Sequence, residues 1–238
     1  MSFDGFDLPI LRFLTGFVGR SPLADHLVHA VSRYDTFKGV AMMSLLWFAW
    51  FNAGADEDDI RRDDRQGWVL IVLAGSVATV LLSRLMQLAL RVHQRPIIAG
   101  LGLPFPAFID PASVNPWNSF PSDHAMLFCA LATGLWRLDR RLGALAFVWT
   151  LIGIDLPRIY LGLHYPSDVI AGALLGILCM ELFARLPLWP LALRTLAWSR
   201  RHPGPFYWAA FLVTEQVAHL FDDIRQLAYT LLGHIASH

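Results

Sequence analysis

Charged residues are scarce in this 238-residue chain, making up 16% of it against 55% hydrophobic residues. That scarcity excludes an ordinary water-solvated surface and points to a bilayer as the solvent. The charges present cancel, with 19 basic and 19 acidic residues, so there is no basic footprint and nucleic acid is excluded as the expected partner. Cysteine is sparse too. Cys129 and Cys179 each lie in an apolar run and offer neither a disulfide framework nor metal-ligand spacing. No removed signal peptide is expected, because MSFDGFDLPILRFLTGFVGR has an acidic start and lacks a clear small-residue cleavage site. Internal repeats, low-complexity tracts and linkers that would divide the chain are missing as well.

What the sequence has in quantity is apolar runs, at about 36–54, 67–90, 120–137, 141–158 and 168–188. Each reaches or approaches the ~20 residues a helix needs to cross a bilayer. The expected fold is all-α, a polytopic membrane helical bundle with five to six transmembrane helices. The third and fourth runs are short and joined by LDRR, which reads as a tight helical hairpin. Residues 1–35 mix apolar residues with Arg12, Arg20, Asp25, His26, His29 and Arg33, the pattern of an amphipathic, interfacial helix pair. Residues 36–188 form the membrane core, and 189–238 a C-terminal extension holding a sixth or interfacial helix.

Orientation follows from Lys and Arg, which hold short loops on the cytoplasmic side. One set of loops carries Arg61, Arg62, Arg65, Arg137, Arg140, Arg141, Arg194, Arg200 and Arg201. The other carries Arg91, Arg95 and Arg158, with Arg12, Arg20, Arg33 and Lys38 if the N-terminus lies there. The first set is the larger. This places the 91–120 loop and the region around His164 together on the outer face.

Three stretches share that face: Arg95-Pro96, Pro121-Ser122-Asp123-His124, and Arg158 through His164 to Asp168. Guanidinium groups bind phosphate oxygens as planar forks and stabilise them as a bond breaks. His164 and Asp168 are four apart, so Asp168 is expected to accept from one ring nitrogen while the other attacks phosphorus, giving a phosphohistidine. His124 is the expected general acid. Ser122 and the amides opening its helix are expected to donate to phosphate oxygens. Set against this are plainer readings: a helix-capping pair for His164 and Asp168, and snorkelling for Arg84 and Arg91. A metal held by His124, His164, Asp123 and Asp168 is conceivable by ligand type, but the surrounding arginines would repel it. Asp155 and Glu181, in or near spans, are costly there unless they face the bundle or water.

FPSDHA together with RIYLGLHYPSDVIAG resembles the type 2 phosphatidic acid phosphatase family, whose motifs are K-x6-R-P, P-S-G-H and S-R-x5-H-x3-D. The resemblance implies metal-free phosphoester hydrolysis with no cofactor. It assigns catalysis to His164, His124 and Asp168, and phosphate binding to Arg95, Arg158 and Ser122. Three positions depart from the motifs. Leu88 stands where the family has Lys, and Arg91, one turn before Arg95, is the preferred substitute. Asp123 replaces the motif Gly, adds a carboxylate to the substrate-binding set and needs an answering cation. Members resembling the bacitracin-resistance-type undecaprenyl pyrophosphate phosphatases also carry Asp there. Pro157 replaces Ser and is expected to break the fourth helix before Arg158.

The implied substrate is a phosphorylated membrane lipid in the bacterial inner membrane, with a polyprenyl diphosphate such as undecaprenyl diphosphate leading. The alternatives are a phosphatidic acid or phosphatidylglycerol phosphate phosphatase, a lipid-linked phosphotransferase, and a non-catalytic phospholipid-binding protein.

Overall fold

The computed structural model describes residues 4–52, 58–90, 94–111, 114 and 118–221. Arg91, Asn115, Trp117 and the last part of the C-terminal extension lie outside the described residues. The described chain is helical, with no strand. In order it forms α1 (Asp4–Thr15), α2 (Pro22–Arg33), α3 (Gly39–Phe51), α4 (Asp59–Ala89) and α5 (Asp123–Leu138), then α6 (Arg140–Tyr160), α7 (Pro166–Phe183), α8 (Trp189–Arg201) and α9 (Pro203–Ala218).

Helix starts follow local chemistry. Asp58 accepts from the amide of Arg61 at 2.8 Å to open α4. Asp139 accepts from the amides of Arg141 and Leu142 at 2.6 and 3.1 Å to open α6, satisfying donors that a helix start leaves unpaired. Asp139 alone separates α5 from α6, so the LDRR segment is the tight hairpin its length implied.

Among the described residues, α4, α6 and α7 are long and apolar enough to cross a membrane. Three of the expected five to six spans thus meet that measure among the described residues. α3 has 13 residues and α5 has 16, both short of the ~20 required. α5 is the centre of the bundle: every residue from Asp123 to Leu135 is buried, between α4, α6 and α7. A core from α3, α4, α5 and α9 surrounds its inner part, including Met42, Leu46, Val72, Leu127, Leu131 and Val217.

Two glycines set a close contact between α5 and α7. A Cβ at Gly172 would strike the carbonyl oxygen of Ser122, and one at Gly176 would strike that of Met126. Small residues let membrane helices approach backbone to backbone. The α7 start is thereby locked beside the α5 start, and the amide of Ser122 donates to the carbonyl of Asp168 at 3.1 Å.

Pro157 does not break the fourth helix as expected. α6 runs through it, and the turn just before, Thr150–Asp155, is π-helical. A proline lacks its N–H and crowds the carbonyl four residues back, and the wider turn takes up that mismatch. Glu181 is answered from α5, with Arg137 Nε donating to it at 3.0 Å.

Candidate functional site

The starts of α5 and α7, the ends of α4 and α6 and the segment carrying Arg95 meet at one end of the bundle. The α6–α7 connection turns at Gly162, whose φ of +69° lies in the left-handed region. A Cβ there would also meet the ring of Phe105. Glycine is required on both counts. The segment from 95 to 105 docks on this turn: the amide of Ile97 donates to the carbonyl of Gly162 at 2.9 Å, and Arg95 donates to the carbonyl of Leu163 at 2.8 Å. Arg95 is thus delivered to His164.

His164 is fully buried, and its two ring nitrogens have different partners. Nδ1 lies 2.8 Å from the carbonyl oxygen of Ser119, and Nε2 lies 3.2 Å from a guanidinium nitrogen of Arg95. A guanidinium only donates, so Nε2 is the acceptor and Nδ1 carries the proton given to Ser119. The ring is neutral, with its lone pair on Nε2. Burial, reinforced by the Arg95 charge, holds its pKa down at about 4. Asp168, also fully buried, is 3.8 Å from Nδ1, beyond hydrogen-bond range. It accepts instead from the amide of Tyr165 at 2.9 Å, closing a capping box at the start of α7. Nδ1 therefore faces both the Ser119 carbonyl, within hydrogen-bond distance, and the Asp168 carboxylate that spacing suggested, at ion-pair distance.

His124 has the opposite arrangement. Its Nδ1 lies 2.9 Å from Asp123 Oδ1, which also accepts from the His124 amide at 2.9 Å. The other Asp123 oxygen accepts from Arg84 at 2.9 Å. Arg84 is further tied to Gln87 at 3.2 Å and to the carbonyl of Leu220 at 3.3 Å. Arg84 is therefore no snorkelling residue: it is the cation that answers Asp123. Asp123 points at Arg84 and His124 rather than into the open space of the site. Ser122 is fully buried, and its hydroxyl accepts from the amide of Ala125 at 3.4 Å as the N-cap of α5.

A cavity of 350 Å³ opens beside these groups. Arg95, His124 and Arg158 line it from the core, and His29, Arg33, Lys38 and His219 line it from elements on either side. Sequence reasoning named the first three and missed the rest. Among the described residues no three His, Cys, Asp or Glu side chains are grouped to hold a metal ion.

The site also rests on α1. Asp7 accepts from the amide and the hydroxyl of Ser167 at 2.8 and 2.7 Å, capping α7 from another helix. No local motif announces that contact, since the partners lie 160 residues apart.

Comparison with known proteins places residues 91–190 in a match to the model of the PAP2 superfamily. A bacitracin transport permease protein from Bacillus licheniformis is 41% identical over 63 residues, 26% of this chain and 30% of that protein. A lipid A 1-phosphatase from Rhizobium johnstonii is 37% identical over 90 residues, 33% of this chain and 36% of that protein. The chain thus matches about a third of the length of each curated relative. The crystal structure of Aquifex aeolicus LpxE superposes with a TM-score of 0.50 at 24% identity, covering 78% of this chain and 99% of that one. That likeness is one of fold.

Proposed function

We propose that this chain, whose residues 91–190 match the PAP2 superfamily model, is a membrane lipid phosphatase that works through a phosphohistidine on His164. The observation that carries the reading is the His164 ring, whose proton is fixed on Nδ1 by Ser119 and whose Nε2 lone pair faces Arg95. A substrate phosphate entering the cavity draws the Arg95 and Arg158 guanidinium groups onto its oxygens and so uncovers Nε2. Nε2 then bonds to phosphorus as the bond to the leaving oxygen breaks. His124, held through Nδ1 by Asp123, takes a proton at Nε2 from the phosphate monoanion of the entering substrate, gives it to the leaving oxygen, and later takes one from the water that cleaves the P–N bond. Asp123 orients His124 and is kept off the substrate by Arg84. Asp168 positions the α7 start.

A polyprenyl diphosphate such as undecaprenyl diphosphate is the leading substrate. The Asp at position 123, which members resembling the bacitracin-resistance-type branch also carry, supports it. The site faces the outer side of the bacterial inner membrane, as the distribution of arginine favours. The test is phosphate release by the purified protein in detergent, without added metal, from polyprenyl diphosphate, phosphatidic acid and phosphatidylglycerol phosphate. Release that His164→Ala abolishes is the expected result. Release from none of them, or release that survives the substitution, sinks the reading.

A further inference from the structure

We propose that Lys38 is a substrate-binding residue, the cation that grips phosphate in place of the one position 88 lacks. The inference rests on the phosphatase reading and adds a residue to its site. Lys38 is the only lysine in the chain, and it lies outside the stretch that matches the family model. Leu88, by contrast, is 71% exposed near the end of α4, so a cation there would face away from the bundle.

Lys38 sits at the junction of a short 3₁₀ turn, Asp35–Phe37, with α3. The junction is clamped: a Cβ on Gly39 would strike the backbone of Ala218 at the end of α9. Lys38 is 5% exposed and lines the same cavity as Arg95, His124 and Arg158. It is close enough to Arg158 and Asp123 for their charges to act on it. Its ammonium is 3.0 Å from Asp35 Oδ1, while the other Asp35 oxygen lies 3.7 Å from His219.

A structural role alone would need only the pair with Asp35. Among the described residues, however, the cavity is lined by Arg33, Lys38, Arg95 and Arg158 against a single carboxylate, Asp35. Like charges gathered at low dielectric repel one another, and an oxyanion among them relieves that repulsion. An ammonium has three donors, of which Asp35 Oδ1 takes one. Lys38 thus offers phosphate a compact charge beside the two guanidinium forks. Asp35 competes with phosphate for that charge.

The lone lysine makes the test selective. Labelling with ¹³C,¹⁵N-lysine marks Lys38 alone and keeps its three N–H donors. Titration of the full chain in detergent with inorganic phosphate is expected to move the Lys38 side-chain resonances saturably. Asp35→Asn is expected to tighten that binding several-fold, a gain that loss of a merely structural ion pair does not give. With lipid substrate, Lys38→Met is expected to raise KM about tenfold more than it lowers kcat, with most of the loss restored by Lys38→Arg. A lysine resonance that ignores phosphate in a protein that hydrolyses lipid, or a Lys38→Met variant with wild-type KM, overturns the inference. A resonance that titrates in a protein releasing phosphate from no lipid sustains the Lys38 site while the phosphatase reading fails.

Discussion

The two histidines of the site are supported in opposite ways. His164 gives its Nδ1 proton to a backbone carbonyl, which carries no net charge and cannot take the proton. His124 is bound at Nδ1 by a carboxylate that is itself held by Arg84. A carbonyl fixes a neutral ring with its lone pair outward, which suits attack on phosphorus. A carboxylate stabilises the positive charge that a ring acquires on gaining a second proton, which suits proton transfer. In the proposed mechanism the division of labour is therefore carried by what stands behind each ring, not by the rings themselves.

The contrast can be broken at several points. Removing the attacking atom has the largest effect: His164→Ala is expected to lower kcat by at least ~10⁴-fold, and no ³²P-labelled intermediate forms in a quench assay. His124→Ala is expected to cost about 10²- to 10⁴-fold and to be partly spared with a leaving group that needs no proton, such as a nitrophenolate. Asp123→Asn acts through His124, so kcat falls about 10- to 100-fold within the range a general acid supplies, KM stays nearly constant, and Asp123→Glu recovers part of the loss. Asp168→Asn sharpens the comparison from the other side. With 3.8 Å separating it from His164, its effect on kcat is expected to be smaller than that of Asp123→Asn, and its main cost is about 1 kcal/mol of stability from the weakened cap, read as a lower denaturation midpoint. A larger kcat loss from Asp168→Asn than from Asp123→Asn would reverse the assignment.

Acid pH separates the rings as well. The His164 pKa of about 4 lies below the ~6.5 of a free imidazole, so the ring stays neutral and nucleophilic down to that value. It is expected to lose its lone pair only below it. kcat/KM should therefore carry an acid limb near pH 4 that no His124 or Asp123 substitution removes. An acid limb that stays near 6.5 in every variant would show that burial does not control the nucleophile.

Much of the site was legible because its residues are written close together. Residues 121–124 and 158–168 each form one continuous stretch, and the α5–α6 hairpin followed from a short polar break. What was not legible depends on chain folding between distant segments. Arg84 looked like any basic residue near a membrane surface until α4 brought it against Asp123, 39 positions away. The 3.8 Å gap to Asp168 could not be read from i, i+4 spacing, because Tyr165 and the start of α7 already claim that carboxylate. Lys38 left one trace that was readable and passed over, its uniqueness in the composition. Asp7 left none. Pro157 looked like a break because proline is costly in a regular α-helix, and a π turn is one of the few ways around it.

The contact at Gly172 and Gly176 has a mechanical consequence. Where α5 and α7 meet main chain to main chain, there is no layer of side chains to compress, rotate or repack when lipids thicken, thin or stiffen. The gauge between the Pro121–His124 turn and the His164 turn is therefore rigid across bilayers of different composition. Lipid-dependent tuning of the reaction would enter instead through α1, where the Asp7 side chain makes the joint with the α7 start.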